Sequence, residues 1–128
     1  MAAYVWIGLG SALGGMARHA VGAWSLALFG AAFPWGTLVV NIAGSAIIGA
    51  VAALASSGEG PAPLGETARL FLAVGVCGGF TTFSAFSLQT LNLIEAGSFV
   101  AALTNVGTSV IACLAAVWVG YHAVQTLT

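Results

Sequence analysis

Five formal charges in 128 residues, Arg18, Arg69, Glu59, Glu66 and Glu95, constrain this chain more than any motif in it. A water-soluble domain of such a length carries roughly 25% charged residues, because something must face water. Here the charged fraction is 4%, lysine is absent and 60% of the residues are hydrophobic. Lipid is the solvent that suits this surface. The reading is an all-α membrane protein with a single domain over 1–128.

Two arginines cannot build a basic patch, so a net charge of −1 excludes nucleic acid as a partner. Cys77 and Cys113 sit in apolar runs, where cysteine acts as a small hydrophobe. No basic residue precedes the apolar run from Tyr4, which argues against a cleaved signal.

Four apolar stretches each approach the ~20 residues that cross the hydrocarbon layer. They run from about Tyr4 to Leu28, Trp35 to Ala55, Thr67 to Ile94 and Phe99 to Val124. The polar segment Ser56-Ser57-Gly58-Glu59-Gly60-Pro61-Ala62-Pro63 reads as a loop, and Glu95-Ala96-Gly97-Ser98 as a turn. Trp6, Trp24, Trp35, Trp118 and Tyr121 fall near the span ends, where amphipathic rings favour the headgroup zone. Loops that carry almost no Lys or Arg give almost no positive-inside signal. That pattern suits dual topology, with oppositely oriented copies paired about an axis in the membrane plane.

Four polar features stand against this apolar background. Arg18, about fourteen residues past Tyr4, lies inside the first span, where an arginine costs at least ~2.5 kcal/mol. It either snorkels to the interface or faces an aqueous cavity and draws anions. Asn41 offers an amide that either bonds across helices or presents N–H to an anion. The segment from Gly75 to Ser87, which holds Gly78-Gly79-Phe80-Thr81-Thr82-Phe83, is poor helix material in mid-span. Gly75 and Gly79 would also serve close helix packing. A break there frees carbonyls suited to a hard cation such as sodium, as broken helices do in transporters. Phe83 and Phe86, three apart, share a face and could offer electropositive ring edges to an anion, although such spacing usually means core. Finally, Asn105, Ser109 and Cys113 fall on one stripe of the last helix, with Thr104 and Thr108 beside it. Their hydroxyls could hydrate an ion or bond back to their own helix.

His19 and His122 lack metal-ligand spacing, and no nucleophile elbow, carboxylate pair or phosphate loop occurs, so an enzyme has no footing. A proton-coupled exporter would need a carboxylate within a span, and none is there. An assembly subunit without transport would tolerate change at the Phe and Asn positions.

Gly78-Gly79-Phe80-Thr81-Thr82-Phe83-Ser84-Ala85-Phe86-Ser87, with Arg18-His19, Trp35-Gly36-Thr37 and Asn41 upstream, closely resembles the Fluc (CrcB) fluoride channels over about Gly8 to Gly120. The resemblance implies four transmembrane helices, the third broken near its middle, in an antiparallel dual-topology homodimer. It implies passive export of fluoride through a bacterial inner membrane. It also implies a fluoride pathway of Phe83, Phe86, Asn41, Ser109 and Arg18, and a structural sodium held at the dimer centre by the Gly78 and Thr81 carbonyls. The chain departs from the family pattern with Ala85 for a threonine, Gln89 for a glutamate, and Asn105 and Cys113 for a tyrosine and a serine.

Overall fold

The computed structural model describes residues 1–56 and 64–127. Most of the loop expected over 56–63, Glu59 included, lies outside the described residues. The elements are α1 (Ala2–Phe29), α2 (Trp35–Ser56), α3 (Glu66–Arg69), a π-helix (Leu70–Cys77), α4 (Gly78–Phe80), α5 (Phe83–Glu95) and α6 (Phe99–Gln125). The α3–π–α4 run and α5 together form the third span, so the expected spans match the observed helices to within two residues at each end.

The punctuation follows local chemistry. Gly30, at φ 72°, ends α1 with its N–H on the Leu26 carbonyl at 2.9 Å. A positive φ costs glycine nothing, which is why it closes helices. Gly97, at φ 74°, turns the chain between α5 and α6, and Ser98 N–H reaches the Leu93 carbonyl at 2.8 Å.

Three helical segments, Trp35–Ser56, Glu66–Glu95 and Phe99–Gln125, are long and apolar enough to cross a membrane. Helix α1 has the length, at 28 residues. Arg18, His19 and its glycines lower its hydropathy below that of the other three. The buried set is small, with Val40, Val51, Ala53, Cys77 and Ala102 among it, while large apolar side chains such as Leu103 and Ile111 point outward. Hydrophobic residues on all sides of a helix suit a lipid surround.

Glycine sets how closely the helices approach. Helix α2 packs mainly on α6, and α1 on the third span. A side chain at Gly120 of α6 would meet the Ala46 backbone of α2, and one at Gly49 would meet Val117. Gly75 faces Gly10, and Gly79 faces Ser11. The close-packing reading of Gly75 and Gly79 therefore holds beside the broken-helix reading, because the break itself begins two residues after Gly79.

Gly78 and Gly79 stay helical; within the third span it is Thr81 (φ −84°, ψ 159°) and Thr82 (φ −156°, ψ 112°) that are extended. The eight-residue π-helix ahead of them was not anticipated from sequence. Such wide turns are rare and cluster at functional sites.

Gly120→Leu should force α2 from α6 and lower stability by about 1–3 kcal/mol or more, as overpacking does. Gly8→Ala, inside α1 where nothing lies within 4 Å, should not lower stability and should raise it by up to about 1 kcal/mol through helix propensity. Thermal unfolding in detergent reads both.

Candidate functional site at the break in the third span

Where the two threonines leave the helix, Asn41 of α2 takes hold of the chain. Its Oδ1 accepts from the Thr82 N–H at 2.8 Å, and its Nδ2 donates to the Thr82 carbonyl at 3.1 Å. The amide thus pairs with the freed, buried backbone much as a neighbouring strand would. A buried peptide group without partners costs about 1–3 kcal/mol for each orphan. Asn41 removes both at once, and its nitrogen carries a second hydrogen.

Thr82 also starts the next helix. Its Oγ1 accepts from Ala85 N–H at 3.1 Å, the N-cap bond that this residue type favours, and lies 3.3 Å from Ser84 Oγ. Thr81 closes the preceding turn, with its N–H and Oγ1 both on the Cys77 carbonyl at 2.9 and 2.8 Å. Gly44 has no side chain where the Thr81 methyl sits, and so makes room for the break.

These bonds decide which carbonyls the break frees. In an unbroken helix Thr82 N–H would donate to the Gly78 carbonyl, and Ala85 N–H to that of Thr81. Here the first is diverted to Asn41 and the second to Thr82 Oγ1. Phe83 and Ser84 N–H, in the first turn of the new helix, leave the Gly79 and Phe80 carbonyls without donors as well, so four carbonyls are freed, among them those of Gly78, which is exposed, and Thr81, which is half-buried.

Six of the seven residues expected from sequence, Asn41, Gly78, Thr81, Phe83, Phe86 and Ser109, line one cavity of about 460 Å³ beside the break. Phe86 is 8% exposed and Phe83 is 78% exposed. Only one of the pair is core. Their rings lie 5.2 Å apart with planes inclined at 48°, neither stacked nor edge-to-face. Cys113 joins the lining.

Arg18 stands apart from these six. It is half-buried and lines a cavity of about 280 Å³ with His19, Thr37, Thr82 and Ala85. Thr82 walls both spaces. Thr37, Gly22 and Gly36 in turn border a third, of about 640 Å³, near the α1–α2 connection. Ser25 Oγ and Gln89 Oε1 are buried on that third wall without a protein hydrogen-bond partner. A roomy space with orphaned polar atoms is where water belongs.

Sequence reasoning quoted Thr82 within the motif but gave it no role, and passed over Ser25 and Thr90. A threonine followed by a helical run is a readable N-cap signal. Nothing comparable marks the other two. Among the described residues no group of three or more His, Cys, Asp or Glu could hold a metal.

Long apolar helices whose polar side chains gather along interior cavities define a multi-pass helical membrane protein. The family model described as "CrcB-like protein, Camphor Resistance (CrcB)" matches residues 5–121. Similar proteins include "Fluoride-specific ion channel FluC" of Methylocella silvestris, 51% identical over 92% of this chain and 89% of the relative. That of Opitutus terrae is 50% identical over 96% and 92%. "Fluoride-specific ion channel FluC 1" of Rhodopseudomonas palustris is 47% identical over 98% and 87%. The chain belongs to the CrcB family.

Asn41→Leu should leave the Thr82 N–H and carbonyl unpaired and cost about 2 kcal/mol or more. Asn92→Leu, at an exposed site, should cost little. Thermal unfolding of the solubilised protein compares them.

Proposed function

We propose that this chain is a fluoride channel that lets the anion leave the bacterial cytoplasm down its own gradient. It is not an enzyme; the relatives reported above are named as ion channels. The observation that carries the reading is the cavity at the break, where an amide, two phenylalanines and a hydroxyl converge in an otherwise apolar bundle.

In this reading the chain lies in the inner membrane, and α1 completes a set of four spans. Arg18 draws anions toward the wall formed by Thr82. The second hydrogen of the Asn41 amide, the electropositive edges of Phe83 and Phe86 and the Ser109 hydroxyl replace water around the ion. Phe83 and Gly78 lie open on a single chain, which supports a second copy covering them. With so few basic residues in the loops, that copy inserts in the opposite orientation, giving an antiparallel homodimer.

The Gly78 and Thr81 carbonyls fit a sodium ion, since hard cations take oxygen ligands and unwound helices supply them. Carbonyls from two copies would hold it at the dimer centre, where its charge would brace the interface. A central density bonded to those carbonyls would be the expected finding.

Purified protein in liposomes should release fluoride far faster than empty vesicles and release chloride little. Equal fluoride release from the two would end the reading. Phe83→Ile and Asn41→Asp should each lower fluoride flux at least tenfold while the dimer persists, as fluoride-electrode traces and cross-linking would report.

A further inference from the structure

A hydrogen-bonded chain runs behind the cavity from α6 to α5. Asn105 is 2% exposed, and its Nδ2 donates to Thr90 Oγ1 at 2.9 Å. Thr90 Oγ1 in turn donates to the Phe86 carbonyl at 2.8 Å. On its other side, Asn105 Oδ1 accepts from Ser109 Oγ at 3.5 Å. The amide therefore joins two pathway-lining residues without being among the residues that line that cavity.

The contrast with its neighbours gives the arrangement meaning. Thr104 and Thr108, on the same helix, donate back to the carbonyls of Val100 and Thr104 at 2.8 and 2.6 Å. That is the ordinary fate of a helical hydroxyl. Ser109 has the same option one turn back, yet its bond goes to the Asn105 side chain. At 3.5 Å this bond is long and weak. A hydroxyl in a short backbone bond must surrender it to meet an anion; one held at 3.5 Å surrenders little. Ser109 has a single hydrogen to give, so what holds that hydrogen governs whether Ser109 offers the cavity a donor.

We propose that Asn105 is a positioning residue for anion passage: anchored by Thr90, its Oδ1 keeps the Ser109 hydroxyl off the helix backbone and loosely held, ready to turn to an anion. This rests on the fluoride-channel reading and adds to it a residue that acts through another. Without the amide oxygen, Ser109 takes the backbone bond of Thr104 and Thr108. The anion then competes against roughly one ordinary hydrogen bond, a factor of about fivefold.

The test is a double-mutant cycle on fluoride efflux from liposomes, measured across fluoride concentration. Asn105→Leu should raise the half-saturating fluoride concentration about fivefold in the unsubstituted background and leave it unchanged beside Ser109→Ala. Ser109→Ala alone should reduce flux by about the same factor. Thr90→Val, which frees the amide without altering α6, should shift in the same direction as Asn105→Leu and decides the matter if that variant does not insert. A shift equal in both backgrounds, or none in either, would overturn the assignment while leaving fluoride conduction intact. Abolition of flux by Ser109→Ala would also overturn it, since more than one exchangeable bond would then be at stake. Absence of fluoride flux from the unsubstituted protein would bring down both.

Discussion

Two hydrogen bonds between Asn41 and the Thr82 backbone hold open a break that lipid would otherwise forbid. A peptide unit out of helical register in a membrane must find partners in protein or in a cavity. One amide satisfies the peptide donor and acceptor together. Everything around it depends on that pairing. Thr82 can begin a new helix at its own hydroxyl, the Gly78 and Thr81 carbonyls lose their helical donors, and Phe86 comes to line the cavity. Asn41 is therefore first a structural clasp. Its proposed contact with an anion uses only the hydrogen that the clasp leaves over.

The same economy explains the glycines. With lipid as solvent, burying apolar surface between helices gains little, so association relies on close van der Waals contact. Gly10 against Gly75, Gly79 against Ser11 and Gly120 against Ala46 bring backbones together where any side chain would hold them apart. The large apolar residues face outward instead. A bundle built this way gathers part of its polar side chains along three spaces, linked in turn by the shared walls Thr37 and Thr82.

Much of this was legible beforehand. An apolar run ended by Gly30 or by the Glu95-to-Ser98 turn announces its own limits, so the helix ends were readable. The Gly78-to-Ser87 segment announced a break. Its exact place was not readable, because helix propensity ranks glycine as the worse former, while the decisive partner of Thr82 lies 41 positions away in sequence. Periodicity carries no such information. The stripe of Asn105 and Ser109 was visible as spacing, but Thr90, which gives Asn105 its orientation, is one threonine among several. Arg18 was grouped with the pathway residues by resemblance; in the fold it borders a neighbouring space, joined to theirs through Thr82. The π-helix could not be read at all, since Leu70–Cys77 is apolar throughout and a widened turn leaves no pattern in a uniform run.

That π-helix bears on how the chain can vary. Its bonds span five residues where an α-helix spans four, so it holds one residue more than a regular helix would need over the same turns. Deleting any one of its eight residues would relax the segment to an ordinary helix, at little cost within the segment itself. The helix would then cover the same turns with one residue fewer, so the residues downstream would keep their directions. Gly79 would stay against Ser11, and Thr82 with Asn41. The segment can thus lose a residue ahead of Gly75, which must stay glycine against Gly10, and still deliver the break to Asn41, whereas the same deletion in the regular helix α5 would turn everything after it by about 100°.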